Sequence, residues 1–134
     1  MSVGIVIVSH SARLAEGVAE LAEQMAMGAV TIAVAGGTND GNVGTSIEKV
    51  TAALKKAASP DGTLVLLDLG SAVIIAEMAL EQLDDDERAR VIISSAPLVE
   101  GAVLAAVEAS AGSSLQEVAE AANDGRDLPK GQEA

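Results

Sequence analysis

A chain of 134 residues, 49% of them hydrophobic, is long enough for one packed domain and too apolar for wholesale disorder. A net charge of -12 and the absence of Phe, Tyr and Trp exclude the basic groove and stacking aromatics that hold single-stranded nucleic acid; the charge also argues against docking on an anionic membrane. With no cysteine, disulfides, thiolate nucleophiles and Cys-based zinc sites drop out together.

The opening stretch "MSVGIVIVSH" has no basic segment before its apolar run and no signal-peptide cleavage pattern. Residues 3–8 form a continuous apolar run, the mark of a strand covered on both faces. Over 11–27, Leu14, Val18, Leu21 and Met25 are spaced four, three and four apart and predict a helix with that stripe inward. The pair Met25 and Met27 at its end reads as packing. "VTIAVA" (30–35) predicts a second strand, and "GGTNDGNVG" (36–44) a loop of turn-forming residues. Thr45 with Glu48 matches a capping box, and Ile47, Val50 and Leu54 continue the helix behind it.

"SPDG" (59–62) is a turn and "TLVLL" (63–67) a third buried strand. Residues 62–80 are apolar enough to be mistaken for a membrane span. Asp68 and Glu77 would then lie in lipid, and Gly70 with Ser71 reads better as a break between two elements. A soluble, cytoplasmic protein is expected. Residues 72–83 predict a helix, "DDDE" (84–87) an acidic loop, and "RVIIS" (90–94) a fourth strand. A helix over 96–110 carries Pro97 near its first position, where a missing N–H costs nothing. Ser114 and Glu117 form a second capping box before a last short helix. The expected organisation is one domain over 1–122 and a polar, flexible tail over 123–134.

This alternation predicts an α/β fold: an open, mostly parallel, doubly wound sheet with helices on both faces. Such sheets bind ligands beyond the carboxyl ends of their strands. "SHSAR", "GGTNDG", "DLGSA" and "SSAPLVEG" all fall at that edge, so His10, Thr38, Asn39, Asp40, Asp68 and Ser71 are expected around one cleft.

His10 is the only histidine. A metal site there would rest on carboxylates alone. A hydrolase would need Ser9 or Ser11 with Asp68, yet a serine adjacent in sequence to its base rarely meets it productively, and there is no G-x-S-x-G elbow. The remaining chemistry is an imidazole that attacks phosphorus and carries a phosphoryl group, beside a helix N-terminus whose N–H groups suit the anion. Asp68 would fix the tautomer, and Arg13, one turn on, is either a phosphoryl ligand or a solvated cation. No Walker loop is present, so a nucleotide would sit on a partner.

"IVIVSHSARLAEGVAELAEQM", "GGTNDGNVGTS", "LVLLDLGSA" and "SSAPLVEGAVLAAV" together resemble the DhaM family, phosphotransferase subunits of phosphoenolpyruvate-dependent dihydroxyacetone kinases. The first domain of that family is similar to the enzyme IIA domains of the mannose-class sugar phosphotransferase system, and the resemblance runs from about residue 3 to about residue 122. It implies that phospho-HPr phosphorylates His10, which then rephosphorylates ADP held on DhaL. The ATP so formed would phosphorylate dihydroxyacetone on DhaK, so ADP and ATP are expected on DhaL and no cofactor or metal on this chain. The nucleophile carries over to His10 with Asp68 as its orienter. Ser9, Ser11, Arg13, Thr38, Asn39, Gly70 and Ser71 form the phosphoryl-binding or supporting set. The resemblance also implies a homodimer, and the nearly all-apolar helix 72–83 is compatible with one. HPr-like and enzyme I-like domains of some relatives would be separate proteins here. Three other readings remain: a mannose-class sugar-transport enzyme IIA, a small tetrapyrrole metal chelatase that would lack its further histidine, and a receiver-like module phosphorylated on Asp68.

Overall fold

A computed structural model describes residues 2–131. Four strands, β1 (Gly4–Ser9), β2 (Ile32–Gly36), β3 (Thr63–Leu67) and β4 (Val91–Ile93), pair in parallel in the order β2-β1-β3-β4. Between them run α1 (Ala12–Ala26), α2 (Ile47–Lys56), α3 (Ser71–Leu80) and α4 (Asp85–Ala89), and after β4 come α5 (Leu98–Ser110) and α6 (Leu115–Asn123). This is the doubly wound α/β fold that strand–helix alternation predicts. None of the described helices is long and apolar enough to cross a membrane.

Strand parity divides the core. Ile5, Ile7, Leu64 and Leu66 point to one face, where α1, α5 and α6 cover them; Val6, Val8, Val65 and Leu67 point to the other, under α2 and α3. Most of the large buried side chains come from the sheet; α1, α3 and α5 meet it mainly with small ones, while α2 brings Val50 and Leu54 and α6 brings Val118. α1 buries Ala15, Val18, Ala19, Ala22 and Ala26; α5 buries Gly101, Ala102, Ala105, Ala106 and Ala109; α3 buries Ala72, Ala76 and Ala79. Without aromatic residues, bulky strands against alanine-faced helices reach close packing.

That packing corrects several sequence expectations. The inward face of α1 is turned from the expected stripe: Val18 is buried, but Leu14, Leu21 and Met25 lie at its exposed flank. The predicted Thr45–Glu48 capping box moves one residue on, since Ser46 is the N-cap and accepts from Lys49 N–H. The expected acidic loop is the short helix α4, capped by Asp84, whose side chain accepts from Glu87 N–H. Pro97 is the N-cap of α5 rather than its first helical residue. The Ser114–Glu117 capping box forms with both reciprocal bonds.

Beyond α6 the chain turns back on the domain instead of leaving it. Asp124–Asp127 is a 3-10 turn whose Gly125 is buried against Glu100 and Gly101. Arg126 donates to Ser95 O and Oγ at 3.1 and 2.6 Å, and Lys130 pairs with Glu100. The part of the expected tail beyond residue 131 lies outside the described residues.

Candidate functional site

β1 lies inside the sheet. The chain leaves it for β2 on one side and returns to β3 on the other, so the switch point falls between β1 and β3. Val8 pairs with Leu67, and Asp68 N–H donates to Val8 O at 3.2 Å, carrying the ladder one residue past the strand end. Register alone therefore sets Asp68 beside Ser9 and His10. His10 occupies the short turn between β1 and α1, whose N-cap Ser11 accepts from Leu14 N–H at 3.2 Å. Gly37 N–H donates to Ser9 O at 3.1 Å and Gly44 N–H to His10 O at 2.8 Å, so the loop after β2 grips the backbone of this turn. Gly44 sits at φ 146, and a Cβ there would lie 2.7 Å from Thr38 Cγ2. A larger residue would strain that backbone conformation and crowd Thr38.

Asp68 is the centre of the site. Its Oδ1 faces His10 Nδ1 at 3.0 Å and accepts from Leu69 N–H at 2.7 Å; its Oδ2 accepts from Ser9 Oγ and from His10 N–H, both at 2.9 Å. Partial burial pushes this carboxyl up, but the hydrogen bonds from His10, Ser9 and Leu69 outweigh it and hold it below the ordinary carboxylate value. The ionised group only accepts, so Nδ1 must carry the proton that binds it, and the neutral ring keeps its lone pair on Nε2. Nε2 lies 2.9 Å from Ser71 Oγ, in the first turn of α3. The imidazole is 22% exposed and the carboxylate 13%, so the dyad is half-sunk with one nitrogen facing out. Gly70 caps α3 with no side-chain bond, and in the first turn Ala72 N–H donates to Leu69 O and Val73 N–H to Gly70 O, both at 3.0 Å. A groove of about 490 Å³ runs on from Asp68, Leu69 and Gly70 to Ile93, Ser94 and Ala96.

The remaining predicted residues divide. Ser11 serves the helix cap, and Arg13 is exposed and makes no ion pair among the described residues. Thr38 Oγ1 accepts from Asn42 N–H at 3.1 Å, and Asn39 Oδ1 accepts from Ser46 Oγ at 2.5 Å; Asp40 is exposed at the loop tip. None of these three is hydrogen-bonded to His10; Thr38 and Asn39 shape the loop that grips it. Ser9 is fully buried behind Asp68, out of reach of any group on Nε2. Sequence reasoning missed Gly44, Ser46 and Lys49, whose Nζ donates to Gly36 O at 3.0 Å where the loop begins. The "GTS" run before a helical stripe was the available signal for Gly44 and Ser46. Among the described residues, no three His, Cys, Asp or Glu side chains cluster as metal ligands.

The family model described as PTS system fructose IIA component (EIIA-man) matches residues 4–119. The chain is 47% identical over 121 residues to the phosphoryl donor subunit DhaM of the PEP-dependent dihydroxyacetone kinase of Klebsiella michiganensis, and 46% identical over 119 residues to that of Escherichia coli. These alignments cover 88% and 87% of this chain but 26% and 25% of those proteins, so the chain spans about a quarter of their length. A DhaM subunit of Listeria innocua, from PEP-dependent dihydroxyacetone kinase 2, is 39% identical over 106 residues, which are 79% of this chain and 85% of that protein. Among solved structures, a protein of unknown function superposes with a TM-score of 0.82 at 36% identity, covering 92% of this chain and 95% of its own. A sigma-54 interaction domain protein from Enterococcus faecalis shares the fold, with a TM-score of 0.65 at 16% identity over 94% of this chain and 91% of its own.

Proposed function

Because the chain belongs to the EIIA-man family, that of the PTS system fructose IIA component, we propose that it is a phosphohistidine carrier of DhaM type, taking a phosphoryl group from phospho-HPr and passing it to ADP held on DhaL. The observation that carries this reading is the pairing of His10 Nδ1 with a four-donor Asp68 carboxylate, which leaves Nε2 as the outward lone pair.

In the first transfer the Nε2 lone pair attacks phosphorus in line with the donor's P–N bond. That bond breaks, and its electron pair returns to the donor imidazole. The ring of His10 gains positive charge as the Nε2–P bond forms, and the ionised Asp68, bonded to Nδ1–H, stabilises it. Ser71 Oγ–H, which faces Nε2 in the resting site, turns to a phosphoryl oxygen. The positive end of the α3 dipole favours the phosphoryl charge, and Arg13, by reach across the exposed face, adds further donors. In the second transfer a β-phosphate oxygen of ADP attacks phosphorus, the Nε2–P bond breaks, and its pair returns to Nε2. The resulting ATP is what the third subunit, DhaK, uses to phosphorylate dihydroxyacetone. Nothing in these steps requires a metal or cofactor on this chain; ADP and ATP reside on DhaL.

The same reading includes a cytoplasmic homodimer. Ile74 and Met78 on α3 are 62% and 45% exposed and Leu69 is 61% exposed, beside the short edge strand β4. These outward apolar side chains support a partner copy across that edge. Ile74→Asp is expected to shift the mass seen in analytical ultracentrifugation from dimer to monomer; a wild-type monomer would remove the dimer from the proposal.

The deciding experiment incubates the protein with phosphoenolpyruvate, enzyme I and HPr, reads intact mass beside His10→Ala, and then adds DhaL with ADP. One acid-labile phosphoryl group, absent in the variant and discharged as ATP, is the expected result. No phosphorylation with an active relay would overturn the carrier reading. The description of the matching family model favours one alternative, a sugar-system IIA component. Discharge onto a second carrier protein, with ADP–DhaL inert, would select it.

A further inference from the structure

We propose that Ser9 is a positioning residue whose buried hydroxyl, bridging Ser11 N–H and Asp68 Oδ2, holds the proton of His10 on Nδ1 and the lone pair on Nε2. Its consequence for rate rests on the carrier reading above; its consequence for the imidazole tautomer does not.

Ser9 ends β1 and has no exposed surface. Its Oγ accepts from Ser11 N–H at 3.0 Å and donates to Asp68 Oδ2 at 2.9 Å. The direction of both bonds is fixed, because the backbone N–H only donates and the ionised carboxylate only accepts. One hydroxyl thus closes a turn around His10 from residue 9 to residue 11 and ties that turn to the opposite strand end.

The geometry explains why this hydroxyl does what its neighbours do not. Rotation about the terminal bond of an Asp side chain is soft, so the plane of the carboxylate is set by its partners. His10 supplies a bond to each oxygen, but both come from the residue to be positioned. Leu69 N–H is the neighbour of Asp68 in the chain and moves with it. Ser9 is the partner on Asp68 that belongs to the rigid centre of the sheet, with Val8 beside it paired to Leu67. Ser71, the other hydroxyl of the site, is exposed, so water can replace it; water has no access to replace Ser9. Removing the hydroxyl also strands Ser11 N–H and lets the turn that carries His10 relax.

The test compares the full chain with Ser9→Ala, Ser9→Cys and Ser9→Thr. Nitrogen-15 NMR of the His10 ring reports the tautomer without any phosphoryl transfer, and quenched-flow phosphorylation by phospho-HPr reports the rate. The wild type is expected to hold the Nδ1–H tautomer. Ser9→Ala is expected to show mixed tautomers and about a tenfold lower rate constant, the size of losing one hydrogen bond to a charged group. Its acid limb should move to higher pH, because Asp68 has lost a donor. Ser9→Thr keeps the hydroxyl and both properties. Ser9→Cys, near-isosteric with a weak donor, should follow Ser9→Ala and serves in its place if the alanine variant melts below the assay temperature. Wild-type tautomer and rate in Ser9→Ala or Ser9→Cys would overturn the proposal, as would a Ser9→Thr variant as impaired as alanine. A wild type that the relay never phosphorylates would sink the carrier reading, and the tautomer comparison would still decide the role of Ser9.

Discussion

Replacing Asp68 by Asn keeps shape and volume and exchanges one acceptor oxygen for an NH₂ donor. Two orientations are available. With the amide oxygen in the place of Oδ1, it still accepts from His10 Nδ1–H and Leu69 N–H, but the NH₂ then confronts His10 N–H, which bonded to Oδ2 at 2.9 Å. With the amide turned over, the NH₂ confronts Leu69 N–H and donates to Nδ1, which forces the ring proton onto Nε2 and removes the nucleophile. Each orientation strands one backbone donor, costing about 1–3 kcal/mol of stability.

For transfer the loss is larger. The first orientation gives up the charge-assisted bond to the developing imidazolium, roughly 1.5–3 kcal/mol or about 10- to 150-fold in rate, and the second blocks attack until the amide turns back. Together they predict at least about a tenfold fall in the phosphorylation rate constant of Asp68→Asn. Quenched-flow mixing with phospho-HPr followed by intact mass measures it, with thermal melts to confirm folding at the assay temperature. A folded Asp68→Asn phosphorylated within about threefold of wild type would refute the tautomer argument.

Three further outcomes follow from the same geometry. Asp68 is held below its ordinary value of 3.8, so the stability it contributes is full above that value and is lost as pH falls through the lower folded value. The gap in melting temperature between wild type and Asp68→Asn should therefore narrow as pH is lowered from neutrality toward 3, and a constant gap would contradict this. A Cβ on Gly36 would lie 2.6 Å from Ala12 Cα and 2.9 Å from Ser11 O; one on Gly4 would lie 2.0 Å from Ala57 O, at the opposite end of the sheet. Both alanine variants are expected to lose about 1–3 kcal/mol or more in denaturant melts, but only Gly36→Ala also slows phosphorylation under native conditions. Ser114→Ala removes the capping box of α6, remote from the site, and should cost about 1 kcal/mol in the same melts with an unchanged phosphorylation rate.

The sheet was legible because its strands are nearly continuous β-branched and leucine runs, a signal that survives without any knowledge of partners. His10 and Asp68 were legible as a pair because each follows such a run at the edge where open α/β sheets bind ligands. Helix phase was not. The stripe of Leu14, Leu21 and Met25 outweighs alanine on any hydropathy reading, yet bulky strand residues leave room chiefly for Ala15, Ala19 and Ala22, with Val18, against the sheet and α5. The shift from Thr45 to Ser46 at the α2 cap has a similar origin: Asn39 Oδ1 takes the Ser46 hydroxyl, a loop contact that local spacing does not contain. The roles of Ser9 and Ser71 were hidden for the same reason. Both are serines beside a histidine or a helix start, and only the fold makes one a buried bridge and the other an exposed partner of Nε2.

The accuracy of the dyad is inherited from the core. His10 and Asp68 stand 58 residues apart, and what brings them to hydrogen-bond distance is the β1–β3 register continued by Asp68 N–H to Val8 O. A one-residue slip of β3 would turn Leu64 and Leu66 toward α2 and α3, and Val65 and Leu67 toward α1 and α5, inverting both halves of the core. A two-residue slip would keep the faces but carry Asp68 about 6.6 Å along the strand, out of reach of the imidazole. It would also leave Gly4, whose missing Cβ admits Ala57 O, with a different residue of β3 beside it. The alternation of apolar side chains in β1 and β3 thus sets the distance between nucleophile and carboxylate, and the local bonds of Ser9, His10 and Leu69 then set its orientation. A substitution in the centre of either strand is for that reason as direct a perturbation of the site as one at its edge.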